Sequence, residues 1–176
     1  MALNYAVAAP NRVQKLALLS PAASVLPIVR QFSLRGMLML LLPTRFTVNS
    51  FMRWLGLAEN PADPETRRLG EIVELMHLGL KHFDMAQETA RIMPTVFSDG
   101  ELRSIPMPTL VLFGDREVIC DPAAALARAL RLIPRSRGEL VPGPRHEMCA
   151  TKHRLVDARV LEFLKDSLAQ GERSAA

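Results

Sequence analysis

"PTLVLFGDREVICDP", residues 108–122, is the stretch on which the reading of this chain turns. Residues 109–114 are an apolar run that stops at Gly114, and the acids Asp115, Glu117 and Asp121 follow directly. A short apolar run bounded by turn residues predicts a strand buried on both faces, as in a parallel sheet. The acids after it have two readings. They form a solvated loop, or they mark the edge of an active site, because open parallel sheets hold their ligand crevices beyond the carboxyl ends of the strands. Asp121 also has a local reason to be there. A side-chain acceptor followed by Pro122 starts a helix, so Asp121 reads first as an N-cap and only second as a catalytic acid.

Working outward, Leu126, Leu130 and Ile133 share one helical face, and Pro134 ends it. Residues 138–141 predict a further strand, closed by Pro142-Gly143, and residues 154–168 a final helix with Val156, Val160, Phe163 and Leu164 turned inward. Upstream, residues 2–9 are helical in composition until Pro10-Asn11, and residues 15–19 offer a first strand. Residues 24–104 are patterned almost wholly as helix. Within them Asp63-Pro64-Glu65 supplies a cap, a first-position proline and an acid on the helix dipole, ahead of Leu69, Ile72, Val73, Met76 and Leu80 on one face. The run "MLMLLL", residues 37–42, is far below the roughly 20 residues of a membrane span, and predicts a buried or groove-lining helical turn.

The order strand, helical insert, strand, helix, strand, helix predicts an α/β protein with a short parallel sheet of about three strands flanked by helices. Residues 1–23 then hold the end of a core helix and the first strand, 24–104 the insert, 105–169 the remaining core, and 170–176 a flexible tail.

Composition excludes several classes. At 49% hydrophobic and 23% charged residues, the chain carries enough apolar material for a real core and is neither disordered nor fibrous. Its 22 basic residues are scattered among 18 acids, so the net charge of +4 predicts a mixed surface and no nucleic-acid partner. No membrane partner is expected from the lengths of the apolar runs. Cys120 and Cys149 do not make a disulfide framework, no secretory leader is read, and a cytoplasmic location is expected. No His, Cys, Asp or Glu spacing supplies a closed metal site and no glycine-rich phosphate loop occurs, so neither metal nor cofactor is predicted. Cys120 sits beside acids that would raise its pKa, which argues against a thiol nucleophile. His77, His82 and His153 read as ordinary structural or solvated histidines.

"MPTLVLFGDREVICDP", then "LVPGPRHEM" and a closing helix ending "VLEFLKD", resemble the C-terminal half of an α/β-hydrolase of the serine hydrolase, carboxylesterase-like kind. In that family a strand ends in a loop whose acid orients a histidine on the loop after the next strand. Carried over, Glu117 takes the acid position and His146 the histidine position, with Asp121 a weaker candidate acid. The insert resembles the family's helical cap, and "VFSDGELRSIPMP" resembles the return from cap to core. The fold implied is a partial α/β-hydrolase fold. Glu117 stands where aspartate is commoner, and Arg145 where a small glycine usually precedes the histidine.

A larger departure concerns the nucleophile. No G-x-S-x-G elbow occurs, and Ser20 in "LLSPAAS" has no glycine on either side. Residues 2–13 resemble the tail of the helix that follows the elbow, so the expectation is a chain beginning downstream of the serine and of its oxyanion donor. The resemblance implies derivation from a serine hydrolase acting on a carboxylic ester or similar acyl substrate. His146 would serve as base, Glu117 would orient it, and a Met- and Leu-rich insert would line a pocket for a small apolar acyl group. Without the serine the chain alone is expected to be inactive. The alternative is a non-catalytic remnant or interaction module of the same fold. Because the first strand would lack its usual neighbour, an exposed sheet edge and self-association are also expected.

Overall fold

The computed structural model describes residues 1–21, 23–58, 66, 68–83 and 95–166. Three parallel strands, β1 (Leu16–Leu19), β2 (Thr109–Gly114) and β3 (Ser136–Val141), lie in the order β1-β2-β3. Leu16 pairs with Thr109, and Thr109 in turn with Ser136. The central strand is buried at every position, which explains why it reads as one apolar run with no alternation.

Its side chains alternate between two cores, as the period of a strand requires. Val111 and Phe113 pack with Leu3 and Ala6 of helix α1 (Ala2–Ala8) and with Ala125, Ala129 and Leu132 of the helix Pro122–Leu132. Leu110 and Leu112 face the other way, onto Val156 and Phe163 of the helix His153–Lys165. Val111, Leu112 and Phe113 are completely removed from solvent, each contributing roughly 1.5–3 kcal/mol of transfer free energy.

Between β1 and β2 the insert forms a small core of its own from α2 (Arg30–Leu41), α3 (Arg45–Leu55) and α4 (Leu69–His82). Val48, Phe51, Met52 and Leu55 of α3 meet Leu69 and Val73 of α4, and Ile119 from the loop after β2 joins them. Thr44 caps α3, its Oγ1 accepting from the Thr47 amide at 3.2 Å, and Gly56 ends the helix at φ +111°. After α5 (Asp99–Arg103) and β2 come α6 (Pro122–Leu132), β3, α7 (Met148–Thr151) and α8 (His153–Lys165).

Several sequence expectations change. β3 begins at Ser136, two residues before the expected Gly138, because pairing with Thr109 and Leu110 extends the ladder through polar residues. Gly138 is an interior position: a Cβ there would lie 2.2 Å from the Val111 carbonyl oxygen. In α6 the buried face is Ala125, Ala129 and Leu132, so Leu130 is 40% exposed, and in α8 Leu164 is likewise exposed. Of residues 37–42 Met39 is buried and lines a cavity, whereas Met37, Leu38, Leu41 and Leu42 are more than half exposed, so the expectation of a buried or groove-lining turn holds for only part of the run. The cap expected at Asp63-Pro64-Glu65 and the tail 170–176 lie outside the described residues.

Candidate active site

The three acids after β2 do three different things, and Gly114 makes the arrangement possible. A Cβ on Gly114 would stand 2.3 Å from the Pro144 carbonyl oxygen and 2.6 Å from that of Arg145, so only glycine lets the loop after β3 cross this close. The two loops are then laced together. The Asp115 amide donates to Val141 O at 2.9 Å, the Arg116 amide to Pro144 O at 3.2 Å, and Asp115 Oδ1 accepts the Gly143 amide at 2.7 Å. Asp121 Oδ1 accepts the Ala124 amide at 3.0 Å and caps α6, as its Pro122 neighbour foretold.

Glu117 turns inward, its side chain wholly buried. Oε1 accepts two backbone amides, from Val118 at 2.8 Å and Ile119 at 3.0 Å, and Oε2 lies 2.9 Å from His146 Nδ1. Burial pushes this carboxyl up, but the His146 hydrogen bond and charge, with the two amides, outweigh it and hold Glu117 below the ordinary glutamate value. An ionised carboxylate only accepts, so Nδ1 carries a proton and donates, and in the neutral tautomer Nε2 is the acceptor.

His146 is fixed from both sides by the end of α3. The Arg145 guanidinium donates to Trp54 O at 3.1 Å, and the Glu147 amide to Leu55 O at 3.3 Å. These carbonyls belong to the last turn of a helix, where a cation is favourable. Arg145, which the family pattern would replace by glycine, therefore ties the histidine loop to the insert.

One face of His146 lines an apolar cavity of about 370 Å³, with Phe32, Phe51, Leu55, Met76 and Ile119 among its walls. Phe32 and Phe51 meet at 5.6 Å between ring centroids, and Trp54 continues the cluster at 6.1 Å from Phe51. Ile72 and Met76, expected in the core of the insert, are partly exposed because they line this cavity. A larger concavity of about 710 Å³ lies across Arg145, between Arg53 and Lys152, but neither Glu117 nor His146 lines it. Of the two, only the smaller cavity borders the Glu117–His146 pair.

Other candidates separate cleanly. Cys120 is buried, and burial with the charges of Glu117 and Asp121 pushes its thiol up to about 12, so it is no thiolate nucleophile. Burial first, and then Glu147 and Asp157, also raise Cys149. Ser20 ends β1 in a left-handed conformation at φ +42°, with its amide on Leu112 O at 2.8 Å. Its buried hydroxyl oxygen has no hydrogen-bond partner among the described residues, His146 included. His77 lies in α4 with Nδ1 likewise unpaired among those residues, His82 is exposed at the end of α4, and His153 opens α8, all outside the Glu117–His146 pair. Sequence reasoning gave Asp115, Ile119 and Arg145 no part in positioning the pair. For Asp115 the available signal was its place directly after the glycine.

Helices on both faces of a parallel sheet, a helical insert above its carboxyl end, and loops crossing there over a glycine are the architecture of the α/β-hydrolase fold. The chain belongs to that family, of which it forms a partial fold. No family model matches it. Among curated proteins it is 31% identical to the uncharacterized carboxylesterase nap of Bacillus subtilis (strain 168), covering 92% of this chain and 52% of that protein. It is 28% identical to carboxylesterase YbfK of the same organism, covering 92% and 53%. The crystal structure of naproxen esterase (carboxylesterase NP) from Bacillus subtilis superposes with a TM-score of 0.77 at 30% identity, over 92% of this chain and 55% of that one. The chain thus spans about half the length of the curated relatives it matches.

Proposed function

We propose that this chain carries the acid and the base of a serine esterase site, with Glu117 as the orienting carboxylate and His146 as the general base. The reading rests on the 2.9 Å contact between the buried Glu117 carboxylate and His146 Nδ1, which leaves Nε2 to act. In such a site Nε2 takes the proton of a serine hydroxyl as it attacks the acyl carbon. Glu117 stabilises the imidazolium that forms, and Nε2–H then protonates the leaving alcohol. The cavity beside His146 would receive an apolar acyl group, with the insert as its cap. The esterase names of the relatives support the same reaction class.

The sequence holds no G-x-S-x-G, and the chain alone is expected to be inactive. The test is intact-mass measurement after treatment with a fluorophosphonate, together with ester hydrolysis. Both are run on the chain alone and on the chain joined to an elbow-bearing upstream segment. The expected result is an unmodified mass for the chain alone, with labelling and turnover gained on joining and abolished by His146→Ala. A covalent adduct on Ser20 of the chain alone, lost in His146→Ala, would overturn the assignment. A well-folded joined protein that stays inert would favour the non-catalytic module. Among the described residues β1 pairs only with β2. Self-association through that edge predicts concentration-dependent elution in size-exclusion chromatography, and a monomer at every concentration would refute it.

A further inference from the structure

We propose that the outer face of α2, with the turn into α3, is a docking surface for an anionic lipid bilayer, on which the helix lies flat. Leu34, Met37, Leu38 and Leu41 are 67%, 57%, 52% and 72% exposed. Their spacing of i, i+3, i+4 and i+7 places them on one stripe. The stripe is not the helix's packing face: Phe32, Met39 and Leu40 pack into the insert core, and a Cβ added at Gly36 would lie 3.8 Å from the Phe51 ring. Leu42 at 55% and Phe46 at 81% continue the exposed apolar surface through the turn. Of these outward residues none lines the cavity at His146, so the substrate pocket does not account for them.

Charge selects the occupant. Helix α2 carries Arg30 and Arg35 and no acid, and beyond the turn Arg45 is paired with Glu74 at 2.7 Å. Arg30 lies one turn before Leu34, on the stripe itself, and has no acidic partner among the described residues. Arg35 flanks the stripe, with its guanidinium 5.3 Å from the Trp54 ring. Leucine side chains around unneutralised arginines suit the boundary between headgroups and acyl chains, where the arginines meet lipid phosphates. A second copy docked face to face would oppose arginine to arginine with no acid on either helix to offset the repulsion. The 12 residues of α2 extend only about 18 Å, and no described helix is long and apolar enough to cross a membrane. The contact is therefore peripheral. The proposal departs from the sequence expectation of no membrane partner, which considered spans alone.

Co-sedimentation of the full chain with phosphatidylglycerol-rich vesicles and with pure phosphatidylcholine vesicles tests it. Energy transfer from Trp54, the single tryptophan, to dansyl-labelled lipid serves as a second readout. Binding is expected to the anionic vesicles only and to weaken as salt is raised. Leu38→Glu/Leu41→Glu should reduce partitioning by roughly tenfold or more, and Arg30→Glu by roughly threefold to tenfold. All three positions are exposed, and circular dichroism checks that the variants fold. Equal binding by wild type and the double variant would overturn the proposal, as would no binding to either vesicle. Self-association that the double variant abolishes, without vesicle binding, would also overturn it and assign the face to a second copy.

Discussion

The loops beyond β2 and β3 and the helical insert face one another across His146, yet they are built by different rules. On the loop side nearly every polar group has a named partner: Asp115 holds Gly143, Glu117 holds two amides and His146, and Asp121 holds Ala124. On the insert side apolar contact dominates, and many large apolar side chains of α2 and α4 remain exposed. Directional hydrogen bonds hold the histidine and its loop in place. Non-directional packing shapes the cavity but specifies it loosely. The difference leaves the Glu117–His146 geometry more tightly specified than the walls of the cavity beside it.

The contrast can be broken hardest at Gly114. Gly114→Ala should destabilise the protein by about 4 kcal/mol or more, since the new Cβ meets two backbone carbonyls that cannot move independently of the histidine loop. Urea denaturation measures this, and a loss below about 1 kcal/mol would mean that the loops slide apart cheaply. Phe51→Ala should cost about 3 kcal/mol, with the damage confined to the insert. Hydrogen exchange should then rise in α2–α4 while β2 stays protected. A global collapse would show that the insert core and the sheet form one cooperative unit.

Glu117→Gln should cost about 1–3 kcal/mol through the buried amides and Nδ1–H it serves poorly. It should also change the pH response. Because the folded pKa lies below the ordinary value, the ionised carboxylate contributes fully above about pH 4.3, and its contribution fades as the pH falls further. Wild type should therefore lose stability on acidification more steeply than Glu117→Gln. Parallel curves would deny the pair its ionised state. Asp121→Ala should cost about 1 kcal/mol in thermal unfolding and leave the His146 NMR signals in place, as expected of a helix cap. Smallest of all, Leu41→Ser should shift stability by no more than about 0.5 kcal/mol, because the side chain is 72% exposed.

Much of the loop side was legible beforehand. A strand ending at glycine with acids after it is a local signal, while the family resemblance of the two loops is what paired Glu117 with His146, and the two side chains lie 2.9 Å apart. Asp121 was legible as a cap locally, since both N-cap and proline act within one turn. The insert was less legible. Helical periodicity named Leu69, Ile72, Val73, Met76 and Leu80 as one face, but could not say that Ile72 and Met76 border a cavity rather than fill a core. In α6 the apolar pattern favoured Leu130, whereas the structure buries Ala125 and Ala129, because close approach to β2 suits small side chains.

By itself the sequence determined the three strands and their order between helices, because these depend on hydrophobic period and turn residues along the chain, whereas the pairing of Glu117 with His146 was implied by the family resemblance of the loops that carry them. The tertiary structure alone decided that Gly114 lets the loops cross, that Asp115 laces them, and that Arg145 ties the histidine to the end of α3. It also turned most of residues 37–42 outward. Each of these depends on contact between segments distant in the chain, as Trp54 O and Arg145 are, and no local pattern of residues encodes such an approach.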